Sequence, residues 1–331
     1  MAKRWSAEEI HETSWSFQRA SVLSAAADLN VFTCLHDKPM TAEAVARELA
    51  SDLRATTILL DALAALDLLT KQGDNYSVPG YLAELLSEKS ATNMLPMIRH
   101  RANCLSLWAQ LSRVTQTGKS AERFASIRGE EADQAAFIGA MHDFSKPVAA
   151  EVVGRLKPLE FSRLLDIGGA SGTWTMAFLD AVPDATATLF DLPAVVPMAE
   201  RRLSEAGLAD KVTLVAGDYN TDDLPAGADL AWLGAICHQN SRRQNRDLFA
   251  RIHKALTGDG VIVIRDIVMD PSHTSPAGGA LFAVNMLVAT EEGGTYTFDE
   301  YRDDLRGAGF GEVTLVHRDE FMNSLIRAKK A

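Results

Sequence analysis

The spacing of apolar residues indicates different structures in the two halves of the chain. From Leu159 onward, short apolar runs alternate with segments in which apolar residues recur at helical spacing. The runs predict strands near Leu164–Gly168, Ala187–Asp191, Val212–Gly217, Leu230–Ala235, Val261–Asp266, Glu312–His317 and Met322–Arg327. The helices predicted between them include Thr173–Ala181, Val195–Ala206, Arg243–Leu256 and Thr297–Ala308. This alternation predicts an α/β fold with a doubly wound, mostly parallel sheet that helices cover on both faces.

The first ninety residues show helical periodicity and end in a hairpin. Apolar residues of Ser16–Leu35 recur at helical spacing, and Thr41–Ala50 begins with a threonine cap and has Glu43 in its first turn. A strongly apolar helix is predicted over Leu53–Leu69. Two short strands around a Gly-Asp-Asn turn follow in Leu69–Val78. We therefore predict an essentially all-helical N-terminal domain that a small hairpin closes, which is the outline of a winged helix.

This domain lacks the chemistry that reads DNA. The third helix is apolar nearly all round, and Arg54 is its only basic residue, whereas a recognition helix exposes cationic and amide side chains. The net charge of the chain is -11, and no basic stripe offsets it. The pattern favours a protein–protein module. Because the apolar faces of Ser16–Leu35 and Arg54–Leu69 are too extensive for a small domain to bury alone, we expect a homodimer.

The length of 331 residues is enough for two domains. A second helical stretch lies near Asn93–Leu156, so we expect a dimerisation domain over residues 1–95 and a catalytic domain over 96–331, with a helical lid (96–158) and an α/β core (159–331). Three widely spaced cysteines fit a reducing compartment, and no long apolar run indicates a membrane span. We expect a cytoplasmic protein with no membrane or nucleic-acid partner.

The glycine-rich stretch Arg163–Gly172 is the most informative local signal. It predicts a buried strand and a turn into a helix, and after that helix Thr186–Leu192 predicts a second strand that ends in Asp191. The dinucleotide pattern G-x-G-x-x-G is absent. A D-x-G-x-x-x-G loop that starts at Asp166 is instead similar to the loop with which class I S-adenosylmethionine (SAM) methyltransferases hold the methionine end of their cofactor. The alternative is a simple strand-to-helix turn that needs glycine for its geometry.

Ligands bind at the carboxyl ends of the strands in such sheets. There the sequence places the loop Asp166–Gly172, then Asp191-Leu192, suited to ribose and the adenine face, and then Gly217-Asp218-Tyr219, suited to the adenine amino group and ring. Three acids suit a cationic sulfonium cofactor and would repel a pyrophosphate. Each acid alone could equally cap a helix or face solvent.

His238 follows the fourth strand of the core. Over the expected cofactor site a near-neutral imidazole can take a proton from a phenol or an enol. Asp266, at the end of the fifth strand, is the carboxylate placed to orient it. The alternative for His238 is a helix cap or a buried structural ring. No metal-ligand spacing motif is present, so we expect no metal.

Nearly the whole chain resembles the dimeric small-molecule O-methyltransferases typified by plant caffeate and acetylserotonin enzymes and their bacterial natural-product relatives. The motifs that carry this resemblance are Trp108-x-x-Leu, Phe137-x-x-x-Met141-x-x-x-Ser145, Leu165-Asp-Ile-Gly-Gly, Phe190-Asp-Leu-Pro, Gly217-Asp218, Ile236-Cys-His238, Asn285-Met-Leu-Val, Gly293-Gly and Ala308-Gly-Phe310. The resemblance implies SAM as cofactor, S-adenosylhomocysteine as its product, a homodimer and a small-molecule acceptor.

The resemblance also implies roles for residues of this chain. His238 falls on the position of the catalytic base, Met141 on a pocket-lining methionine and Ser145 on a serine that contacts the SAM carboxylate. The expected catalytic residues are His238 and Asp266. The expected cofactor-binding residues are Met141, Ser145, Asp166, Gly168, Gly169, Gly172, Asp191, Leu192, Gly217, Asp218, Tyr219 and Gly234. The expected acceptor pocket is lined by Trp108, Met141, His142, His238, Phe282, Asn285 and Met286.

Several positions depart from the family pattern. Ala170 replaces a loop glycine, Gln239-Asn240 replaces Asp-Trp, and Gly234 replaces a lysine. The segment Gly293–Thr297 is one residue short and lacks the glutamate that flanks the base, and Asp266 stands for a glutamate. The expected function is O-methylation of a small aromatic or enolic metabolite. The alternatives are C-methylation, SAM binding without methyl transfer and, in another class, a winged-helix ligand-sensing regulator.

Overall fold

The computed structural model describes residues 3–331, and these form two compact units. The first comprises the residues up to Ser106 together with Arg123–Asp143. The second comprises Leu107–Glu122 and Phe144–Ala331. The domain boundary near residue 95 stays a prediction, and the contacts divide the expected lid, residues 96–158, between the two units.

The part of the chain before residue 155 is helical apart from three short strands. The elements are α1 (Ala7–Trp15), α2 (Phe17–Asp28), α3 (Val31–Cys34), β1 (Met40–Thr41), α4 (Ala42–Glu48), α5 (Leu53–Ala65), β2 (Thr70–Gln72), β3 (Asn75–Ser77), α6 (Gly80–Leu86), α7 (Leu95–Trp108), α8 (Leu111–Thr117), α9 (Glu130–Ser145) and α10 (Ala149–Gly154).

The predicted hairpin is present, and a third strand extends it. β3 pairs antiparallel with both β2 and β1, so the three strands form a small sheet in the order β1-β3-β2. The predicted cap of α4 is confirmed, because the Thr41 side chain accepts a hydrogen bond from the Ala44 amide at 3.3 Å. Apolar residues of α3, α5 and the sheet, among them Phe32, Leu60 and Tyr76, form the core of this unit.

Two helices are shorter than their apolar pattern predicts. The expected helix Ser16–Leu35 breaks at Asn30, where φ is +64°. There the Arg99 guanidinium donates to the Ala27 carbonyl at 3.2 Å and to Asn30 Oδ1 at 3.0 Å, so it satisfies the end of α2. Helix α5 ends at Ala65 and not at Leu69, and Asp67 after it has a φ of +59°. The apolar run continues past the helix because Leu69 joins the same core.

Strands and helices alternate through the rest of the chain, as the sequence predicts. The elements are β4 (Arg163–Ile167), α11 (Thr173–Ala181), β5 (Thr186–Asp191), α12 (Val196–Glu205), β6 (Val212–Ala216), β7 (Ala228–Gly234), α13 (Arg242–Ala255), β8 (Leu256–Asp266), β9 (Val268–Met269), α14 (Ala277–Ala289), β10 (Tyr296–Thr297), α15 (Phe298–Gly307), β11 (Phe310–His317) and β12 (Ser324–Lys330). Short 3-10 turns lie at Ala209–Lys211 and Cys237–Gln239.

Seven of these strands form one sheet in the order β11-β12-β8-β7-β4-β5-β6. β6, β5, β4, β7 and β8 run parallel. β12 pairs antiparallel with β8, and the edge strand β11 pairs antiparallel with β12 and so runs in the same direction as β8. The chain winds from β4 towards β6 on one side, and then returns to place β7 and β8 on the other side of β4. The carboxyl ends of β4 and β7 therefore lie at the switch point, where folds of this kind form their ligand site.

Alternate residues of each strand face two different cores. On one face, Leu165 and Ile167 of β4 pack with residues of α13 such as Leu248 and Phe249. On the other face, Leu164 packs with Trp232 and with residues of α10 and α11. Both faces are apolar, so the strands are near-continuous hydrophobic runs, which is the reason that the sequence located them.

Three features of this unit lack a clear sequence signal. β8 begins at Leu256, five residues before its apolar run. The pattern shows no strand signal there because these first residues include polar ones and two glycines. α14 was not predicted as a helix, because its residues are apolar on nearly every face and give no amphipathic period. The two-residue strands β9 and β10 pair with each other, away from the main sheet. Of the helices in residues 3–331, none combines the length and apolar character of a membrane span.

Candidate active site

The glycine loop after β4 has the backbone geometry that glycine allows. Gly168 and Gly172 have φ angles of +69° and +80°. A Cβ at Gly168 would lie 2.5 Å from Ile236 Cδ1, and a Cβ at Gly169 would lie 2.5 Å from Leu189 Cγ. The loop therefore packs directly on Ile236 and Leu189 and leaves no room for a larger residue at either glycine.

Asp191 joins this loop to the end of β5. Its Oδ2 accepts a hydrogen bond from the Ala170 amide at 2.7 Å, and its Oδ1 accepts one from the Leu192 amide at 2.7 Å. Ala170 has a φ of +47°, so alanine takes here a conformation that favours glycine. Burial raises the pKa of Asp191. The carboxylate is thus held at the carboxyl end of the strand next to the loop.

Asp166 is in β4, the strand that leads into the glycine loop. Only 1% of its surface is exposed, and its Oδ2 accepts a hydrogen bond from Thr175 Oγ1 of α11 at 2.6 Å. Burial raises the pKa of Asp166 to about 7. The contacts of Asp166 link the strand before the loop to the helix after it.

The third strand end carries the remaining acid. The Gly217 amide donates to the Asp191 carbonyl at 2.9 Å, and a Cβ at Gly217 would lie 2.5 Å from Phe190 Cζ. Asp218 Oδ1 accepts from the Asn220 amide at 2.8 Å. Tyr219 packs against the core, and burial raises its pKa to about 12. The second and third strand ends therefore present the predicted residues beside one another.

His238 and Asp266 form a buried pair. His238 Nδ1 lies 2.9 Å from Asp266 Oδ1, and the His238 amide donates to Asp266 Oδ2 at 3.2 Å. Asp266 Oδ1 also accepts from the Ile267 amide at 2.8 Å, and the exposed fractions of His238 and Asp266 are 6% and 1%. Because an ionised carboxylate only accepts, this contact sets the tautomer with hydrogen on Nδ1 and leaves Nε2 as the acceptor. The predicted proximity of Asp266 to His238 is confirmed.

The turn that carries His238 is held through its backbone carbonyls. The Cys237 carbonyl accepts from Asn245 Nδ2 at 2.9 Å, and the His238 carbonyl accepts from the Gly294 amide at 2.9 Å. The Asn240 carbonyl accepts from the Tyr296 hydroxyl. A Cβ at Gly293 would lie 2.6 Å from the His238 carbonyl oxygen. The shortened Gly293–Thr297 segment thus lacks the second acid and fixes the turn through the Gly294 amide and the Tyr296 hydroxyl.

Aromatic side chains extend from the imidazole. The His238 ring meets the Phe282 ring edge-to-face, with centroids 4.9 Å apart. Phe282 meets Phe321 at 5.8 Å, and Phe321 meets Phe144 at 6.3 Å. On α14, one turn beyond Phe282, Asn285 Oδ1 accepts from Trp108 Nε1 at 2.8 Å. The structure therefore gathers four of the predicted pocket residues.

Five further predicted residues are on α9, β7 and α14. Met141 and His142 belong to the first unit, near the end of α9, and both are half-buried. Ser145 belongs to the second unit and is buried. Met286 is buried on α14. Gly234 ends β7, where a Cβ would lie 2.6 Å from Trp232 Nε1, so the lysine of the family pattern has no equivalent here.

The sequence analysis missed several residues that surround this site. Phe321 and Phe144 gave no signal because single aromatic residues outside a motif are common in cores. Tyr296 and Asn245 support the His238 turn; the altered Gly293–Thr297 motif was a signal for Tyr296, and no sequence signal pointed to Asn245. Arg265 is also buried beside the site. Its guanidinium lies 4.6 Å from the Trp174 ring centroid, and burial lowers its pKa to about 10.

Together these observations define a class of protein. The sheet order, the glycine loop at the switch point and the acid at the end of β5 are those of the class I SAM-binding α/β fold. The cradle at the loop and the acids at the strand ends fit a cofactor that combines a positive charge with ribose hydroxyls and an adenine ring.

The chain belongs to the O-methyltransferase family, whose members are SAM-dependent methyltransferases. Residues 108–311 match the O-methyltransferase domain, and residues 12–91 match the O-methyltransferase dimerisation domain. The chain is 32% identical over 322 residues to the tetracenomycin polyketide synthesis 8-O-methyl transferase TcmO of Streptomyces glaucescens, covering 92% of this chain and 91% of that protein. It is also 32% identical to the N,N-dimethyltransferase OxyT of Streptomyces rimosus, with coverages of 92% and 90%.

A solved structure, that of PigF with S-adenosylhomocysteine (SAH), shares the fold. It aligns with a TM-score of 0.87 and 25% identity, and the alignment covers 98% of this chain and all of that one.

Proposed function

We propose that the protein transfers the methyl group of SAM to a hydroxyl group of a small aromatic or enolic metabolite. The observation that carries this proposal is the buried pair of His238 and Asp266 at the carboxyl ends of β7 and β8, the two strands that follow β4 and its glycine loop in the sheet order. SAM supplies an already activated methyl group. The protein therefore has to position two molecules and remove one proton.

The residues at the strand ends hold the cofactor. The loop Gly168–Gly172 supports its methionine end, Asp191 accepts from its ribose hydroxyls, and Asp218 with Tyr219 contacts its adenine. The position of Asp191 beside the loop amide supports this arrangement. Asp166 stabilises the loop because its hydrogen bond with Thr175 joins the strand before the loop to the helix after it. The roles assigned to Met141, His142 and Ser145 stay predictions.

His238 acts as the general base. Asp266 keeps the hydrogen on Nδ1, so Nε2 accepts the hydroxyl proton of the acceptor while the oxygen attacks the methyl group. The carboxylate then stabilises the imidazolium that forms. The carbonyl contacts from Asn245, Gly294 and Tyr296 support this role because they fix the ring relative to the sheet.

Substitution of His238 tests this role. His238→Ala should lower turnover about 10²–10⁴-fold while the affinity for SAM, measured by calorimetry, barely changes. His238→Gln should be nearly as slow despite its similar size. Mass spectrometry and NMR of the product separate transfer to oxygen from transfer to carbon and from SAM binding without transfer. A His238→Ala protein as fast as the wild type would reject the assignment.

We infer that the N-terminal unit is a winged-helix module through which two copies associate. Large apolar side chains are exposed on α1, α2 and α5, among them Trp15 (57%), Phe17 (55%) and Ile58 (54%). An interface of this obligate kind should bury more than about 2,000 Å² in total. Light scattering at micromolar concentration should give twice the chain mass, and a monomer would contradict the inference.

The same surface argues against a DNA-reading regulator, because Arg54 is the only basic residue of α5. A gel-shift assay with random DNA should show no complex. The three free cysteines fit action in the cytoplasm.

A further inference from the structure

Arg265 is a buried cation without an anionic partner. It lies in β8 directly before Asp266, and only 1% of its surface is exposed. Its Nε and Nη2 atoms both donate to Asn323 Oδ1, a neutral amide oxygen, at 2.9 Å and 2.7 Å. Its Nη1 group donates to no atom of residues 3–331. Because a guanidinium is charged at neutral pH and a buried charge is costly without a counterion, these free donors favour the binding of an anion.

The neighbouring carboxylates are engaged elsewhere. The negative charges of Asp266 and Asp319 act on Arg265, and neither acid forms an ion pair with it. Asp266 accepts three hydrogen bonds, from the His238 ring and from two backbone amides. Asp319 Oδ1 accepts from two backbone amides of its own loop at 2.9 Å and 3.1 Å. A bound molecule is therefore the remaining source of a counterion.

The surroundings of Arg265 on this face of the sheet are aromatic. The guanidinium carbon lies 4.6 Å from the Trp174 ring centroid and 5.9 Å from the Phe144 ring centroid. The Trp232 ring meets Trp174 at 5.0 Å, and its buried Nε1 has no acceptor within residues 3–331. On β7 the residue paired with Arg265 is Gly234, which adds no side chain. These neighbours supply ring faces and one more donor, and no acceptor for the guanidinium.

Three aromatic rings, Phe282, Phe321 and Phe144, connect Arg265 to the imidazole, and we call them the aromatic row. The His238 ring meets Phe282, Phe282 meets Phe321, and Phe321 meets Phe144, the ring next to Arg265. Phe321 is 36% exposed and the other two are half-buried, so the row presents ring surface to a ligand. A flat acceptor with its hydroxyl group at His238 and its rings along the aromatic row therefore reaches Arg265 with its far end.

We propose that Arg265 binds a carboxylate of the acceptor and thereby selects an aromatic or enolic acid as substrate. Its Nη1 group and the second N–H of Nη2 are the donors, in the fork geometry that suits a carboxylate. SAM carries a carboxylate as well, and we assign that one to the glycine loop. Arg265 lies on the same strand as Asp266, whereas the loop follows β4, two strands away in the sheet order. The assignment rests on the proposed function, since it places the acceptor hydroxyl at His238.

The test is calorimetry at neutral pH on the full-length protein with SAH present. The probes are 6-hydroxy-2-naphthoate and 4′-hydroxybiphenyl-4-carboxylate, which carry a hydroxyl and a carboxylate at opposite ends and differ in length. Each acid is compared with its primary amide, which has a similar shape and no charge. Wild-type protein should bind at least one acid about 10-fold more tightly than its amide. Arg265→Met should abolish this preference because it removes every donor, and Arg265→Lys should keep part of it.

Arg327→Met provides the matched control. Arg327 lies on β12 opposite Val263 and is exposed, so its variant removes a positive charge from the same sheet and should keep the full preference. Equal preferences in wild-type and Arg265→Met protein would overturn the proposal. A wild-type protein that binds each acid no more tightly than its amide would do so too, whether or not the variants fold.

A second ligand pair identifies the molecule that carries the carboxylate. SAH is compared with its decarboxylated analogue in the absence of any acceptor. The ratio of these two affinities should be the same in wild-type and Arg265→Met protein. A ratio that collapses in the variant would assign Arg265 to the cofactor and overturn its role in acceptor selection.

Methyl transfer from SAM to the same acids is measured separately. A preference for the acid without transfer rejects the proposed reaction and supports the role of Arg265. Transfer without the preference supports the reaction and overturns this specificity.

Discussion

Replacing Asp266 with asparagine tests the pair at the centre of the site. The substitution keeps the size and shape of the side chain and removes its charge. In the wild-type protein Oδ1 accepts from His238 Nδ1 at 2.9 Å and from the Ile267 amide at 2.8 Å, and Oδ2 accepts from the His238 amide at 3.2 Å. An asparagine has one oxygen for these three donors. The oxygen should stay at the two shorter contacts, which places the NH₂ group against the His238 amide.

The expected loss follows from these contacts. One backbone hydrogen bond disappears, which costs about 0.5–1.5 kcal/mol, and a charge-assisted bond to the imidazole becomes a neutral one, which costs about 1–1.5 kcal/mol more. The second cost applies chiefly when the imidazolium forms, and thus to the transition state. This second cost of about 1–1.5 kcal/mol corresponds to a turnover that is about 5–13-fold slower, whereas the lost backbone bond lowers the stability of the fold.

Initial rates at saturating SAM measure this loss, with an acceptor identified by a mass-spectrometric screen of small phenols. SAM affinity, measured by calorimetry, should stay within about twofold, because Asp266 contacts the base and not the glycine loop. Asp259→Asn is the matched control: Asp259 lies on the same strand with a side chain that is 99% exposed, and its variant should keep full turnover.

Two results would refute the reasoning. A turnover reduced less than about threefold would show that the charge of Asp266 does not assist the base. A parallel loss of turnover and SAM affinity would show that the substitution disturbs the sheet edge as a whole.

Two further predictions concern the acids near the glycine loop. The buried Asp166 has a pKa of about 7, against about 3.9 in an unfolded chain. The folded state therefore keeps a proton that the unfolded state releases, and the wild type should lose up to about 4 kcal/mol of stability as the pH rises from 4 to 7. Asp166→Asn should flatten this dependence in urea unfolding, and a flat wild-type curve would contradict the assignment. Asp191→Ala should weaken SAM binding by roughly 1.5–3 kcal/mol in calorimetry, and unchanged affinity would exclude Asp191 from the ribose site.

The sequence predicts the α/β core closely because its strands are apolar on both faces. Helix α11 has the predicted bounds, Thr173–Ala181, since glycine precedes it and an apolar face continues to its end. The same reasoning predicted a helix longer than α5, because the leucines beyond Ala65 are apolar as members of the core although they lie outside the helix. The apolar pattern along the chain indicates which residues are buried. It indicates where a helix ends only if a capping residue or a helix breaker is present.

The site was predictable where its residues directly follow strands. His238 and Asp266 are 28 residues apart, and the parallel order of β7 and β8 brings them together. The contacts that involve α14 were not predictable, because the position of Trp108 relative to Asn285 depends on tertiary packing across 177 residues. Similarly, a shortened motif indicated that the surroundings of the base had changed, and only the structure shows Tyr296 bonded to the turn.

The backbone contacts of the His238 turn separate two tasks that one pocket must perform. The proposed proton acceptor, His238, lies in a turn whose carbonyls accept from the Asn245 side chain, the Gly294 amide and the Tyr296 hydroxyl, and a Cβ at Gly293 has no room beside it. Phe282 and Asn285, which we predict to line the acceptor pocket, lie on α14. If these roles hold, we expect new acceptors to be acquired by a few substitutions on α14, and a new reaction to require changes at the sheet edge. We expect enzymes built in this way to diversify first in what they recognise and only later in what they catalyse.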